Sequence, residues 1–265
     1  MTEKVLRQSD LAFQAQLYAS SNPTRRWLHT TRYIWLMEAF RQYCPFRQYR
    51  LDGENNVQIL EVGIGCAICT REIRKYCDVF AVDINPDSVE IMNGIQNIRA
   101  VQADITQPEF ASRHAYMNQA DIAICSEVLE HVADSRTALQ NLHAALKPGG
   151  ILILTTPNAW STVEIAARFL DLPFMTRLAS AIYGESVDAL GHINRMTRRQ
   201  LLSQIRSTGF EIVEATDTGF YLPLIAEFGS VAGQKICRAL ATWFAKSPFR
   251  WLCWTQCWIL RKPYW

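Results

Sequence analysis

Short apolar segments alternate with helical segments from residue 57 onwards, and this alternation restricts the fold more than any other feature of the chain. Five such segments have the length and apolar content of buried strands, and they span residues 57–62, 78–83, 98–104, 121–125 and 151–156. Near-continuous apolar strands that are separated by helices are typical of a parallel sheet covered on both faces. The sequence therefore predicts a doubly wound α/β fold.

Two further strands are predicted closer to the carboxyl terminus, at residues 210–215 and 257–263. Thr197 and Gln200 have the spacing of a capping box, which predicts a helix before the first of these strands, and Gly209 suits the end of that helix. A long aromatic-rich segment separates the two strands. We expect this segment to form a helical lid or insertion.

The composition excludes several broad classes of protein. With 265 residues, 49% of them hydrophobic and 20% charged, the chain can bury a large core. A formal net charge of +2 does not indicate a nucleic-acid partner. The amino terminus lacks the apolar run of a signal peptide, and the apolar stretches near the end are shorter than the roughly 20 residues that cross a bilayer. We therefore expect a cytoplasmic protein with free thiols.

A glycine-rich turn follows the first predicted strand, in the pattern Glu61-x-Gly63-x-Gly65. In doubly wound sheets the ligand binds at the carboxyl ends of the strands, where glycine lets the backbone approach it closely. A dinucleotide site would have a third glycine three positions after Gly65, but Ile68 occupies that position. The turn therefore favours a ligand without a pyrophosphate, and an NAD-dependent oxidoreductase is the weaker alternative.

Acidic residues end the first three predicted strands. Asp83 lies at the distance from the glycine turn at which a carboxylate accepts hydrogen bonds from ribose hydroxyls, and Asp104 ends the third strand. Either residue alone could be a helix cap or a solvated turn residue. Three acidic strand ends together, with Glu61 as the first, predict a nucleoside-containing ligand.

These segments resemble the class I S-adenosylmethionine-dependent methyltransferases of the small-molecule type. The segment "ILEVGIGCA" is similar to the family's glycine-rich motif, and "VFAVDINPDSVEIM" and "VQADI" are similar to its ribose and adenine motifs. The segments "DIAICSEVLEHVAD" and "LHAALKPGGILILTTPN" also resemble this family, and the nearest resemblance is to enzymes that act on quinone precursors, sugars, lipids and secondary metabolites. The resemblance implies a Rossmann-like sheet of seven strands with an antiparallel last strand.

The resemblance also implies a domain organisation and a set of cofactor contacts. The expected parts are an N-terminal helical cap at 1–56, a cofactor-binding core at 57–218 with a substrate-side insertion at 158–195, a lid at 219–256 and the last strand at 257–265. The expected contacts to S-adenosylmethionine come from ten residues: Gly63 and Gly65 with Glu61 at the methionine part, Asp83 at the ribose, Ile84, Asp104 and Ile105 around the adenine, and Ser126, Glu127 and His131 at the sulfonium end.

The expected reaction is an in-line transfer of a methyl group to a small-molecule acceptor, with S-adenosylhomocysteine as the product. An oxygen nucleophile on an aromatic, sugar or lipid-like molecule is the favoured acceptor, and His192 in "GHINRMT" is the proposed general base. The alternative interpretation of His192 is a residue that orders its loop. A non-catalytic protein that keeps the cofactor site is the third functional alternative.

Two cysteines near the glycine turn raise the question of a metal or redox site. Cys66 and Cys69 form a CxxC pair, but no second CxxC or pair of histidines at ligand spacing accompanies them. We therefore expect small packing residues and no bound metal.

The aromatic segment near the end of the chain has two interpretations. Hydrophobic residues at helical spacing, among them Ile236, Trp243 and Phe244, alternate with Lys and Arg. Such a stripe is typical of a substrate lid that packs on the core. It also suits a membrane surface, because Trp and cationic side chains together favour the headgroup region. Peripheral contact of residues 231–258 with the inner face of a membrane is therefore the second interpretation.

Overall fold

The computed structural model describes residues 18–44, 57–65, 67–114, 116–170 and 192–264. Residues 1–17 and 45–56 of the expected cap and residues 171–191 of the expected insertion therefore lie outside the described residues. The division into cap, core, insertion and lid stays a prediction.

A sheet of seven strands forms the centre of the protein. Its strands are β1 Gln58–Val62, β2 Asp78–Asp83, β3 Ile98–Gln102, β4 Ala120–Ser126, β5 Leu146–Pro157, β6 Glu211–Thr218 and β7 Thr255–Arg261. They are arranged in the order β3-β2-β1-β4-β5-β7-β6. Strands β1 to β5 are parallel, and β7 is antiparallel to both of its neighbours. This arrangement confirms the predicted fold class, including the antiparallel last strand.

The strand order reverses at one point in the sheet. The chain steps outwards from β1 to β2 and β3, and then returns to place β4 on the other side of β1. The carboxyl ends of β1 and β4 are therefore neighbours with no helix between them. Such a switch point is where doubly wound folds bind their ligands.

The helices cover both faces of the sheet, as a parallel sheet requires. They are α1 Pro23–Tyr43, α2 Ile68–Ile73, α3 Pro86–Asn93, α4 Phe110–Arg113, α5 Ser135–Ala145, α6 Thr162–Leu170, α7 Arg198–Ser207, α8 Pro223–Phe228 and α9 Ser230–Ala245, with short 3₁₀ helices at Leu129–His131 and Arg250–Leu252. The capping box predicted for Thr197 and Gln200 is present at the start of α7. In the part of the chain described by the structure, every helix is too short or too polar to cross a bilayer.

Two hydrophobic clusters form the core, one on each face of the sheet. In β1, Leu60 belongs to one cluster and Ile59 to the other, and in β4 Ala123 and Ile124 divide in the same way. Successive residues of a strand point to opposite faces, so a strand buried on both sides must be apolar throughout. This is why the central parallel strands β1, β4 and β5 could be recognised as continuous apolar runs, whereas the edge strand β3 carries the exposed Arg99.

The structure corrects some predicted boundaries. Strand β5 begins at Leu146 rather than at residue 151, because the Pro148-Gly149-Gly150 segment continues as irregular strand instead of forming a separate turn. Strand β3 ends at Gln102, so Asp104 lies just beyond the strand. Strand β6 extends to Thr218. The expected lid region contains α8 and α9, and it connects β6 with β7.

Candidate active site

The glycine-rich turn between β1 and α2 has a backbone that favours glycine. Gly63 and Gly65 have φ values of +81° and +50°. A Cβ atom on Gly63 would lie 2.3 Å from Cγ2 of Val128, in the segment that follows β4. The turn therefore approaches the end of β4 so closely that a side chain at residue 63 cannot fit without displacing Val128.

Asp83 at the end of β2 organises this turn. Its Oδ2 accepts hydrogen bonds from the backbone N–H groups of Ile64, at 2.8 Å, and Gly65, at 3.4 Å, and its Oδ1 accepts one from Asn85 at 2.8 Å. A carboxylate has about four acceptor positions, so ribose hydroxyls can still donate to it. The structure thus gives Asp83 a role in shaping the turn that the sequence did not reveal.

Glu61 lies beneath the turn and is almost fully buried, with 4% of its surface exposed. Burial, together with the nearby charge of Asp83, raises the pKa of Glu61 to about 7. Its Oε2 atom is buried and has no hydrogen-bond partner among the described residues. A buried oxygen that accepts no hydrogen bond suits a ligand that brings N–H donors, such as the amino group of a bound methionine moiety.

The residues expected around the adenine differ in their exposure. Ile84 is 68% exposed directly after β2, which is unusual for a large apolar side chain and leaves it free to pack against a flat ring. Asp104 accepts hydrogen bonds from the backbone N–H and the hydroxyl of Thr106 and from Gln107. Burial opposes the ionised form of Asp104, but the bonds from Thr106 outweigh it and lower its pKa. The side chain of Ile105 is buried in the core, so an adenine contact by Ile105 would come from its backbone.

A hydrogen-bonded network lies at the end of β4. The hydroxyl of Ser126 is 2.9 Å from that of Thr155, which in turn donates to Oε1 of Glu127 at 3.0 Å. Arg32 on α1 forms an ion pair with Oε2 of Glu127 at 2.8 Å. Glu127 itself has a left-handed backbone, with φ of +56°. Both carboxylate oxygens of Glu127 are therefore held, and one of the two partners comes from the N-terminal helix.

His192 is held by a carboxylate that the sequence analysis did not identify. Its Nδ1 lies 2.9 Å from Oε1 of Glu164 on α6, and the side chain of Glu164 is fully buried. Arg195 forms an ion pair with the other oxygen of Glu164, also at 2.9 Å. The sequence signal for Glu164 is an acidic residue in a mostly apolar helical segment. His192 and Arg195 lie far from it along the chain, so the grouping could not be read from spacing.

The structure brings His192 to the sulfonium end of the expected cofactor site. The ring of His192 lies edge-on to that of His131, with centroids 5.2 Å apart. The backbone carbonyl of Glu130 accepts hydrogen bonds from the N–H groups of Ile193 and Asn194, at 2.9 and 3.0 Å. The segment after His192 is therefore bound to the 3₁₀ helix that follows β4, as the proposed base role requires.

Glu130, His131 and His192 place their potential ligand atoms within 4.8 Å of one another, a spacing that a metal ion could use. The side chain of Glu130 is buried. Burial, together with the charge of Glu127, raises the pKa of Glu130 well above its usual value, which favours the protonated acid over a metal ligand. The expectation that no metal is bound stays a prediction. Cys66 of the CxxC pair lies outside the described residues, and Cys69 is half-buried on α2.

A family model described as a methyltransferase domain matches residues 35–215, which is more than half of the chain. The chain belongs to this methyltransferase domain family. The resemblance to S-adenosylmethionine-dependent class I enzymes of the small-molecule type is thereby confirmed, and S-adenosylmethionine rather than NAD is the cofactor.

Individual relatives agree with this family. The chain is 29% identical over 133 residues to a ubiquinone biosynthesis O-methyltransferase of Histophilus somni, a match that covers 46% of this chain and 56% of the relative. The chain thus spans about half the length of the curated relatives it matches. A SAM-dependent methyltransferase from Archaeoglobus fulgidus has a TM-score of 0.55 at 15% identity, over 87% of this chain and 94% of that one. The N-methyltransferase NodS of Bradyrhizobium japonicum, solved with S-adenosylhomocysteine, has a TM-score of 0.52 at 15% identity, over 97% and 96%.

The described residues fit S-adenosylmethionine. The glycine turn leaves space that a Cβ on Gly63 would fill, and Asp83 offers a carboxylate at the strand end. The buried oxygen of Glu61 lacks a partner, and Ile84 exposes an apolar surface. Each of these features matches one chemical part of the cofactor: the methionine backbone, the ribose, the amino group and the adenine ring.

Proposed function

We propose that the chain transfers the methyl group of S-adenosylmethionine to an oxygen of a small-molecule acceptor that is aromatic, sugar-like or lipid-like. The pairing of His192 with the buried Glu164 at 2.9 Å carries this proposal, because an oxygen acceptor must lose a proton while many other acceptors need no base. The name of the Histophilus somni relative, an O-methyltransferase, also supports an oxygen acceptor.

In this proposal His192 is the general base. Hydrogen bonding of its Nδ1–H to Glu164 fixes the ring and its tautomer, which leaves Nε2 to take the proton of the acceptor hydroxyl. Arg195 holds the second oxygen of Glu164 and prevents that carboxylate from rotating. When bound, S-adenosylmethionine would supply the methyl group for the acceptor oxygen, with S-adenosylhomocysteine as the product.

The cofactor contacts expected from the sequence are part of the same proposal. We assign the methionine part to Gly63, Gly65 and Glu61, and the ribose to Asp83. The remaining contacts are Ile84, Asp104 and the backbone of Ile105 at the adenine, with Ser126, Glu127 and His131 at the sulfonium end. The main contribution of these residues is to hold the donor in line with the acceptor oxygen.

The chain would act in the cytoplasm on a small molecule, without a nucleic-acid partner. Peripheral contact of residues 231–258 with the inner face of a membrane belongs to this proposal.

The test compares wild type with His192→Ala, using labelled S-adenosylmethionine and three acceptor probes: a prenylated catechol, a hexose and a hydroxylated fatty acid. We expect product with one class of acceptor, a turnover number at least about 100-fold lower in the variant, and S-adenosylhomocysteine affinity within about threefold of wild type. His143→Gln is the matched control, because His143 packs against Phe210 at the amino end of β6, opposite the carboxyl ends that carry the candidate site.

The outcomes separate the alternatives. Binding of S-adenosylhomocysteine without product from any probe would favour the non-catalytic protein. Unchanged turnover in His192→Ala would remove this residue from the reaction and leave it the role of ordering its loop.

A further inference from the structure

An exposed apolar surface lies on the outer side of α8, α9 and the 3₁₀ helix that follows. Its large side chains are between 40% and 75% exposed, and they are Leu224, Phe228, Ile236, Trp243, Phe249 and Trp251. Single exposed apolar side chains are normal on a protein surface, but a group on consecutive elements indicates a binding surface. We call these six residues the outer apolar surface.

The packing of α9 fixes which side of this helix is exposed. Gly233, Cys237 and Ala241 recur every fourth residue and form its buried side. A Cβ on Gly233 would lie only 2.1 Å from the carbonyl oxygen of Ile225, so α9 packs closely against α8 and cannot rotate there. Ile236 and Trp243 lie two turns apart on a different side, which is held towards solvent.

The charged residues of the segment that carries α9 and the following 3₁₀ helix are all of one sign. From Phe228 to Trp265 the sequence contains six Lys and Arg residues and no Asp or Glu. Arg250 is occupied by an ion pair with the buried Asp217, whereas Lys235, Arg238 and Lys246 are exposed beside the outer apolar surface. A second copy of the chain docked through this surface would bring like charges together. An anionic surface would instead attract them.

The outer apolar surface lies at the same edge of the sheet as the candidate active site. Thr255 at the start of β7 pairs with both Pro157 and Thr218, the last residues of β5 and β6. The segment between β6 and β7 therefore leaves from the carboxyl edge of the sheet. It is bound to the N-terminal helix by the ion pair of Arg25 with Glu227 at 2.9 Å.

We infer that the outer apolar surface and its three exposed cations bind the surface of an anionic phospholipid bilayer. Trp and Phe side chains insert at the headgroup level, and Lys235, Arg238 and Lys246 contact the anionic headgroups. This inference rests on the peripheral location in the proposed function and is independent of the methyl-transfer step.

The test measures co-sedimentation of the full chain with vesicles of phosphatidylcholine alone and of phosphatidylcholine mixed with phosphatidylglycerol. We expect binding only to the mixed vesicles and weakening of that binding by salt. Exchanging Lys235, Arg238 and Lys246 for Gln should weaken binding at least about tenfold, since each cation contributes to attraction at the surface. The double change Ile236→Ser and Trp243→Ser should weaken it to a similar extent.

Matched controls remove the same number of charges and of exposed apolar side chains elsewhere. Arg71, Arg136 and Arg199 are exposed and are changed together to Gln, and the partly exposed Ile91 and Met117 are changed together to Ser. These controls should bind mixed vesicles like wild type. Calorimetry with S-adenosylhomocysteine on every variant shows that the fold is intact and separates failure of this inference from failure of the cofactor assignment.

Several results would overturn the inference. Wild type that stays in solution with mixed vesicles would contradict it, and so would binding that salt leaves unchanged. Equal loss of binding in the controls would show that overall charge or stability is responsible. A wild-type dimer that becomes monomeric in the Ile236→Ser and Trp243→Ser variant would assign the surface to a second copy of the chain.

Discussion

The cofactor half and the acceptor half of the candidate site are built in different ways. In the cofactor half, Glu61, Gly63 and Asp83 occupy the ends of adjacent strands that follow each other in the sequence. In the acceptor half, His192 depends on Glu164, a residue of another segment, whose second oxygen is held by Arg195. The first half is set by local backbone geometry and the second by tertiary contacts.

The largest effect that tests this comparison is expected from Gly63→Ala. The new Cβ would meet Val128 at 2.3 Å and force a side chain into a backbone with φ of +81°. Overpacking and backbone strain together should lower the affinity for S-adenosylhomocysteine about 100-fold, as measured by calorimetry. Any turnover that remains should show an increased KM for the cofactor.

The matched control for this change is Gly94→Ala. Gly94 ends α3 with φ of −79°, and the nearest atom to an added Cβ would be 3.5 Å away. The control should bind S-adenosylhomocysteine like wild type. Equal affinities for Gly63→Ala and wild type would show that the turn does not line the cofactor.

A smaller effect, confined to the acceptor half, is expected from Glu164. Replacing it by Gln should keep one hydrogen bond to His192 and lower kcat about tenfold, and replacing it by Leu should lower kcat about 30-fold. Both variants should retain the wild-type affinity for S-adenosylhomocysteine, because the residue lies outside the cofactor half. Steady-state kinetics and calorimetry together check this separation.

Asp217→Asn is the control for the loss of a buried acid that is not part of the candidate site. Like Glu164, Asp217 is buried between two basic side chains, in this case Arg198 and Arg250. This control should lower the melting temperature and leave kcat near wild type. A loss of kcat in Asp217→Asn equal to that in Glu164→Gln would mean that Glu164 acts only through stability.

The smallest effect is the pH dependence of stability that Glu61 of the cofactor half should cause in the ligand-free protein. The pKa of Glu61 is raised by burial from 4.5 to about 7, so between these values the folded protein keeps a proton that the unfolded chain loses. The stability that this proton gives to the folded protein is fully present below pH 4.5 and is lost as the pH rises to 7. The free energy of unfolding should fall by about 1.4 kcal/mol per pH unit in this range.

Glu61→Gln should remove this slope, so that the variant gains stability relative to wild type at pH 8 but not at pH 5. Urea unfolding at the two pH values measures the difference. Glu90→Gln on the exposed side of α3 is the control and should leave the slope unchanged. The same difference between Glu61→Gln and wild type at both pH values would contradict the raised pKa.

The parts that could be predicted from sequence are those with a local physical signal. The central parallel strands are apolar on both faces, and the cap of α7 depends on residues three apart, so both were recognised. Asp83 was correctly placed at the end of β2, but its bonds to the glycine turn depend on the pairing of β1 with β2. The contacts of Glu164 and Arg32 could not be predicted from local sequence, because their partners come from other segments.

The N-terminal helix α1 connects two sites that are far apart in the sequence. Near its start Arg25 binds Glu227 on α8, and two turns later Arg32 binds Glu127 at the end of β4. A displacement of α8 must therefore either break the first ion pair or move α1. Movement of α1 would in turn strain the second ion pair, so the positions of α8 and of Glu127 are coupled through one helix.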